Sequence, residues 1–305
     1  MFSVYGVATP LRLDRRYYAD RFFMTAITSD EFVEHQLVDT TKGIDSLVDL
    51  TMPPATTAGP YQVRFAQTLD EVRAAQALRY RVFYHEKQGN PTAEMIREKR
   101  DIDQWDENAF HIIVVDTRAS DKIVGTLRLC LDSCLSPSQN FYTEETFDLS
   151  CLKNHFGSSL ELSRFCIDPD GRGGAILMLI WKYAMSFIQD NEIQVMFGCA
   201  SFSGADIVPH QPILNYLYDH HLAPEHLRPQ PKVDDYIDLN ALYEPNAIWE
   251  EAQKSIPTLL RGYLKLGAKI SDAAIIDNAF NTVYVAIYVE THHMLNENPN
   301  LVTHV

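Results

Sequence analysis

Residues 160–181 organise the rest of the chain and read Leu160-Glu-Leu-Ser-Arg-Phe-Cys-Ile-Asp-Pro-Asp-Gly-Arg-Gly-Gly-Ala-Ile-Leu-Met-Leu-Ile-Trp181. The first eight residues predict a strand, which must end by Pro169 because proline cannot continue a hydrogen-bonded ladder. Residues 170–174 predict a glycine-rich turn. From Ala175 onward, apolar residues recur at helical spacing and predict an amphipathic helix. The stretch therefore predicts a strand, a turn and a helix in succession.

The turn before this helix suits a phosphate group. Glycine N–H groups at a helix start point towards an anion, and the helix dipole and the charge of Arg172 add to the attraction. This layout suggests a cofactor with a pyrophosphate or phosphodiester arm. A tight turn that binds nothing explains the glycines equally well, because short glycine-rich motifs are common by chance.

Composition and charge exclude several classes of protein. The 305 residues are 46% hydrophobic, which is enough for a sizeable core, and they contain no apolar run that predicts a transmembrane helix. The N-terminus shows no pattern of a secretory signal. The net charge of 26 − 41 = −15 argues against a nucleic-acid partner and requires any acidic partner to bind a local basic patch.

The cysteines and histidines predict neither disulfides nor a metal site. The five cysteines are odd in number and lack zinc spacing, which is typical of reduced thiols in a cytoplasmic protein. The pairs at 220–221 and 292–293 are adjacent histidines, which diverge on a helix, and no carboxylate completes a metal set. Ser163 and Cys166 are candidate nucleophiles without a recognisable base near them in sequence.

The chain divides into an N-terminal extension with a linker, residues 1–60, and a main domain, residues 61–305. The proline-rich segment 53–60 is the clearest linker. Leu11–Phe23 concentrates arginines and aromatic residues. It predicts either a helix packed on the body of the protein or a contact with a membrane surface or an acidic protein.

The main domain alternates strand and helix patterns. Strands are expected at Tyr61–Ala66, His111–Asp116, Lys122–Leu131, Leu160–Ile167, Ile193–Cys199 and Thr282–Val289. Helices are expected from Thr68 to about His85, from Ala175, over Gln211–His221 and over Ile256–Gly267, with a long polar loop at Gln88–Asn108. A hairpin followed by a β-α-β unit predicts an α+β fold with a partly parallel sheet.

Charged residues stand inside otherwise apolar segments. They are Arg79, Asp101, Asp103, Asp106, Arg128, Glu161 and Arg164. Such charges need partners, because burial of an unpaired charge is costly. Two interpretations stay open at this point: a structural ion-pair network, or a cleft that binds a zwitterion and a thioester.

Several patches resemble a known family. The patches Arg79-x-x-Val-Phe83, Asp103-x-x-Asp106, Gly125-Thr-Leu-Arg128 and Glu161-Leu-Ser-Arg-Phe165 are similar to those of acyl-homoserine-lactone synthases and long-chain N-acyl amino acid synthases. Segments 197–202, 216–224, 257–267 and 277–282 narrow the resemblance to the ornithine–acyl-carrier-protein N-acyltransferases, some of which are described as hemolysin-like. The resemblance covers residues 61–290.

This resemblance implies a GCN5-related N-acyltransferase fold, in which helices flank a mixed central sheet. It implies transfer of a 3-hydroxyacyl chain from acyl carrier protein to the α-amine of ornithine, which gives lyso-ornithine lipid. The expected donor is an acyl-phosphopantetheine, on acyl carrier protein or coenzyme A, with no permanently bound cofactor. The expected partners are acyl carrier protein, a small amino acid and the inner face of the membrane. Acylation of another amine, lactone-signal synthesis and a non-catalytic acyl-carrier or membrane-binding role are the alternatives.

The resemblance also implies roles for individual residues. Glu161 is the expected general base, and Arg164 is the second catalytic candidate. The donor is expected to contact Phe165, Cys166, Ile167, Arg172, Gly173, Gly174 and Ala175. The acceptor is expected to contact Arg79, Asp103, Asp106, Arg128 and Ser201.

Overall fold

The computed structural model describes residues 50–136, 138–244, 249–292 and 294. The predicted Leu11–Phe23 helix lies outside these residues, as does the rest of segment 1–49. The division between an extension and a main domain at residue 60 therefore stays a prediction.

A nine-stranded sheet runs through the described part of the chain, in the order β1-β2-β3-β4-β6-β7-β11-β10-β9. Its strands are β1 (Thr56–Ala58), β2 (Tyr61–Phe65), β3 (Phe110–Asp116), β4 (Lys122–Leu131), β6 (Ser159–Ile167), β7 (Val195–Ser203), β9 (Ile237–Asp238), β10 (Lys269–Asp277) and β11 (Thr282–Glu290). β5 (Phe147–Asp148) and β8 (Gln230–Pro231) form a separate pair. Of these pairings, β6 with β7 is parallel and the others are antiparallel.

Helices cover both faces of this sheet. They are α1 (Leu69–Tyr80), α2 (Ala93–Glu98), α3 (Ser150–His155), α4 (Ala175–Asp190), α5 (Gln211–His221), α6 (Leu239–Leu242), α7 (Trp249–Ser255) and α8 (Thr258–Lys265). On β3, Ile112 belongs to the core beneath α4, and Ile113 belongs to the core beneath α1. Because alternate strand residues face opposite sides, β3 is buried on both faces, and it is apolar for that reason.

Side-chain hydrogen bonds cap α1 at Thr68, where the sequence predicts that the helix begins. Thr68 Oγ1 accepts a hydrogen bond from the Glu71 N–H at 3.2 Å, and the Glu71 carboxylate accepts one from the Gln67 N–H at 2.6 Å. The helix then continues through a π-helical turn, Arg81–Glu86, so the predicted end near His85 is confirmed. This turn delivers Phe83 and Lys87 to the cleft described below.

The structure contains several elements that the sequence did not predict, and three segments show the reasons. Segment 53–60, expected to be a linker, contains the edge strand β1, and the Tyr183 hydroxyl donates to the Pro53 carbonyl at 2.8 Å. The expected loop Gln88–Asn108 contains the short helix α2. Strand β10 was not expected, because Ser271 and Asp272 interrupt its apolar pattern where its register shifts.

The central feature of the sheet is that β6 and β7 separate after a short parallel contact. Their pairing ends where Glu161 lies opposite Phe197. At the next position, a Cβ on Gly198 would lie 2.4 Å from the Leu162 carbonyl oxygen. Only glycine allows this approach of the two backbones. Gly198 therefore marks the point at which the strands diverge and a cleft opens.

We expect Gly198→Ala to destabilise the fold, because its methyl group meets backbone rather than a movable side chain. A loss of about 1–3 kcal/mol in the free energy of unfolding is the usual cost of such overpacking. The matched control is Gly262→Ala in α8, where an added Cβ meets nothing within 4 Å and should be neutral or stabilising. Denaturant titration of both variants measures the difference; equal stabilities would contradict the packing argument.

Candidate active site

Two adjoining cavities occupy the gap between β6 and β7. The larger, of about 180 Å³, is mainly apolar, and Pro257, Leu259, Leu260 and Tyr263 cover it from the α8 segment. The smaller, of about 100 Å³, contains charged and aromatic groups, including Arg164, Asp277, Tyr142 and Phe280. Six residues line both cavities: Phe83, Lys87, Leu162, Ser163, Cys199 and Ser201. The arrangement joins an apolar compartment to a charged one at the diverging strands.

A bulge in β6 shapes the junction. Leu127 of β4 lies opposite two residues of β6, Arg164 and Phe165, because Arg128 pairs with Ser163 and the next pair is Thr126 with Cys166. Arg164 has a left-handed backbone with φ of 55°, which is strained for a residue with a side chain. The bulge directs the neighbouring Phe165 into the larger cavity and Arg164 towards the smaller one.

The Arg164 side chain is held on four sides. Its Nε donates to Asp101 at 3.1 Å, and its Nη2 donates to Asp103 at 2.8 Å. Its guanidinium carbon lies 4.6 Å from the Tyr142 ring centre and 4.5 Å from that of Phe280. These contacts offset the burial cost and the backbone strain. They also leave Arg164 neutralised by two carboxylates where it faces the small cavity.

The buried arginines and aspartates form one network, as one of the two open interpretations predicted. Arg79 is fully buried and donates to both oxygens of Asp106, at 2.8 and 2.7 Å, and its Nε lies 2.7 Å from Asp101. Burial raises the pKa of Asp101, but the Arg164 and Arg79 guanidinium groups outweigh it, so the net pKa lies below the usual value. Burial likewise raises the pKa of Asp106, but Arg79 and Arg128 lower it further, so both carboxylates stay ionised near neutral pH.

Arg128 connects this network to the cavities. Its Nη1 donates to Asp103 at 2.5 Å and to Asp106 at 3.0 Å, and its Nε donates to Ser163 Oγ at 3.0 Å. Because Ser163 Oγ accepts from Arg128, its own O–H is free to donate elsewhere. Ser163 lines both cavities, so this hydroxyl is suited to contact a group at their junction.

Glu161 lies next to the junction but lines neither cavity. It is fully buried, and its carboxylate accepts from the Thr143 N–H and the Thr143 hydroxyl, both at 2.7 Å, and from the Tyr142 N–H at 3.2 Å. Burial raises the pKa of Glu161 above its usual value, against the lowering effect of these hydrogen bonds. The geometry gives Glu161 a clear positioning role, because it fixes the turn that carries Tyr142 into the small cavity.

The predicted phosphate turn precedes α4. Gly174 has φ of 88°, which favours glycine, and α4 begins at Ala175. The first N–H groups of an α-helix have no partner within it and can bind an anion. Arg172 forms a double ion pair with Glu86, with Nη2 and Oε2 2.7 Å apart, and also donates to the Ile167 carbonyl at 3.3 and 3.2 Å.

The structure distributes the predicted site residues over three places. The network holds Arg79, Asp103, Asp106, Arg128 and Arg164; the cavities hold Phe165 and Ser201; the turn holds Arg172, Gly173, Gly174 and Ala175, next to Ile167. Cys166 is buried, and burial raises the pKa of its thiol to about 12, which argues against a nucleophile.

Sequence reasoning assigned no role in the site to three residues of the small cavity, and it left the role of Asp101 open. Lys87, Tyr142 and Asp277 line the small cavity, and Asp101 lies beneath it. Asp101 stands two residues before the Asp103-x-x-Asp106 motif, and this position was a usable signal that it belongs to the site. The others come from segments remote from the central strand, and their meeting depends on the tertiary fold.

A metal site and a membrane-spanning helix are both absent from the part of the chain that the structure describes. No cluster of three or more histidine, cysteine, aspartate or glutamate side chains there could hold a metal ion. No helix among the same residues combines the length and the apolar character that crossing a bilayer requires.

A family model, a solved structure and curated relatives resemble this chain. Residues 78–182 match the family described as Acetyltransferase (GNAT) domain. An N-acyl amino acid synthase from uncultured soil microbes superposes with a TM-score of 0.45 and 11% identity, covering 77% of this chain and 93% of that one. The sequence identity to several named relatives is higher than to this structure.

Relatives from several organisms share one name, L-ornithine N(alpha)-acyltransferase. An L-ornithine N(alpha)-acyltransferase of Rhodobacter capsulatus is 32% identical over 247 residues, which cover 80% of this chain and 95% of the relative. One of Rhizobium meliloti is 34% identical over 233 residues, covering 74% and 78% respectively. The protein is thus an N-acyltransferase with the GNAT fold, and the chain belongs to the L-ornithine N(alpha)-acyltransferase family.

Proposed function

We propose that this protein transfers a 3-hydroxyacyl chain from acyl carrier protein to the α-amine of ornithine and so produces lyso-ornithine lipid. The observation that carries the proposal is the pair of joined cavities, one apolar and one charged, at the end of the β6–β7 contact. An apolar compartment suits an acyl chain, and a charged one suits an amino acid. The names of the relatives supply ornithine as the acceptor.

The donor arm would enter from the glycine turn. Its phosphodiester would bind the first N–H groups of α4 and Arg172, and its pantetheine would follow the edge of β6 that β7 leaves unpaired. Alternate N–H groups of β6 face that gap and can polarise the thioester carbonyl. The N–H of Asp168 is not among them, because it donates to the Val124 carbonyl at 2.8 Å.

The reaction needs no covalent enzyme intermediate. The neutral α-amine attacks the thioester carbonyl carbon, the new N–C bond forms, and negative charge develops on the carbonyl oxygen. The β6 N–H groups and the Ser163 hydroxyl would stabilise that charge. Collapse of the intermediate breaks the C–S bond, the amine loses a proton to a base, and the thiol leaves with a proton.

Because Glu161 lines neither cavity, it can act as the base only if another group passes the proton to it. Its carboxylate accepts from the Thr143 hydroxyl, and Thr143 Oγ1 lies 3.6 Å from the Cys199 sulfur, which lines both cavities. A proton from the amine would therefore reach Glu161 through Thr143 or a water molecule. General base catalysis by Glu161 stays a prediction.

An acidic carrier protein requires a local basic surface on a chain of charge −15. Arg81 and Lys122 lie 3.4 and 2.9 Å from Asp168, and Arg172 pairs with Glu86. These cations outnumber the carboxylates that they contact, Asp168 and Glu86. The patch suits the acidic surface of a carrier protein, which is the donor that we propose.

The defining experiment measures thiol release from 3-hydroxyacyl carrier protein and from the matching acyl-CoA, each with a panel of amino acids. We expect ornithine with acyl carrier protein to react fastest, and added salt to weaken the preference for the carrier protein because it screens exposed charges. Mass spectrometry identifies the amide. Faster reaction with another amine, or equal use of coenzyme A, would contradict the proposal.

Arg172→Ala should raise the KM for the acyl donor several-fold to about 10-fold, because it removes an exposed charged contact to phosphate. Valine at Gly173 should do the same by blocking backbone approach. Glu86→Gln should lower that KM, because it frees Arg172 from its ion pair. The KM for ornithine is the internal control, and unchanged donor KM in all three variants would exclude the turn as the phosphate site.

Glu161→Gln should lower kcat by about 10²-fold or more if Glu161 is the base. The control is Glu144→Gln, which alters a neighbouring buried carboxylate that contacts Lys153 at 2.9 Å. Single-turnover rates at saturating ornithine separate the roles. A purely positioning role predicts a higher KM for ornithine with near-normal kcat, and that result would refute the assignment as base.

The N-terminal arginines 12, 15, 16 and 21 suggest that segment 1–49 contacts an acidic surface, either the carrier protein or anionic lipid. A deletion should stop at residue 49, because Thr51 exchanges hydrogen bonds with Asn191 at 2.7 and 2.8 Å. The truncated protein should keep its activity with a small acyl-pantetheine and lose affinity for carrier protein or anionic vesicles. Aggregation or unfolding of the truncated protein would count against the docking role.

A further inference from the structure

Asp277 is the one carboxylate among the residues that line the two cavities described above. It is the last residue of β10 and is half-buried. Its Oδ1 accepts from the Ala279 N–H at 2.8 Å and the Phe280 N–H at 3.0 Å, which closes the turn to β11. No lysine, arginine or histidine among the described residues forms an ion pair with it. Its negative charge is therefore available to the small cavity.

The cavity also offers a positive charge. Arg164 is neutralised by Asp101 and Asp103, whereas Lys87 has no carboxylate within ion-pair distance among the described residues. Lys87 is exposed at the edge of both cavities. An α-amino acid brings one carboxylate, which Lys87 can bind, and an α-amine, which must be neutral to react. Asp277 is then left for a second cationic group on the acceptor.

The walls between these charges suit a short alkyl chain. Phe83, Tyr142, Phe280 and Tyr284 line the small cavity and give it aromatic walls that can contact methylene groups. Aromatic faces also favour a nearby ammonium. A carboxylate beside aromatic rings thus matches a side-chain ammonium carried on methylene groups.

We propose that Asp277 binds the side-chain ammonium of the acceptor and makes the site selective for a diamino acid; the assignment rests on the proposed acylation of ornithine. A site built to pair a charged group discriminates against an analogue without it, because its own charge would stay unpaired. Asp277 is on this account a specificity-determining residue, and it takes no part in bond making.

The test compares ornithine with norvaline, which has the same carbon chain and lacks the terminal ammonium. Asp277→Asn keeps the Oδ1 acceptor that closes the turn and removes the charge. We expect kcat/KM for ornithine to fall about 10- to 100-fold, the usual effect of losing one charged hydrogen bond. The value for norvaline should stay unchanged or rise. Thiol release with acyl carrier protein gives both values.

Asp272→Asn is the matched control, because Asp272 lies on the same strand, lines neither cavity and pairs with Arg228 at 3.0 Å. It should leave the ratio of the two acceptors unchanged. Norvaline turnover by Asp277→Asn reports directly that the variant is folded. Equal losses on both acceptors would overturn the role of Asp277 and leave ornithine acylation standing. A wild-type protein that acylates norvaline as fast as ornithine would overturn both.

Discussion

The structure of the site depends on holding Arg164 in a left-handed conformation inside a strand. Such a backbone costs about 1–3 kcal/mol and persists only where the surroundings determine it. Here two aspartates and two aromatic rings hold the side chain. The bulge that results lets β6 stay paired with β4 while it leaves β7. Both cavities exist because of that departure.

The burial of so many charges beneath the site follows from the same constraint. Three arginines and three aspartates pair across α1, β4, β6 and the segment before β3. Removing one partner of a buried ion pair typically costs about 3–5 kcal/mol, because the other charge is left unpaired. The network is therefore suited to fixing positions and not to binding a substrate directly. Of the two interpretations that the sequence left open, the structure shows the ion-pair network, with the two cavities beside it. Substrate binding in those cavities stays a proposal.

The strand, turn and helix of 160–181 were predictable because local chemistry decides them: a proline stop, glycines and helical spacing. The burial of Glu161 was predictable for the same reason, since a carboxylate in an apolar strand must be buried with partners. The side to which the Glu161 carboxylate points was not predictable, because its partner Thr143 lies in a separate turn of the chain. β10 was missed because its bulge breaks the alternation that marks a strand. Asp277 ends that missed strand, so its place in the cavity could emerge only from the fold.

The distribution of charge in the cleft also bears on which of two amines reacts. Under the proposed assignments, Asp277 stabilises the side-chain amine as an ammonium, and an ammonium has no lone pair for attack. The α-amine would lie nearer the apolar compartment, away from the charge of Asp277. Desolvation lowers the pKa of an amine and favours its neutral, nucleophilic form. One carboxylate that lines the small cavity and not the larger one would thus select the acceptor and direct acylation to its α-nitrogen.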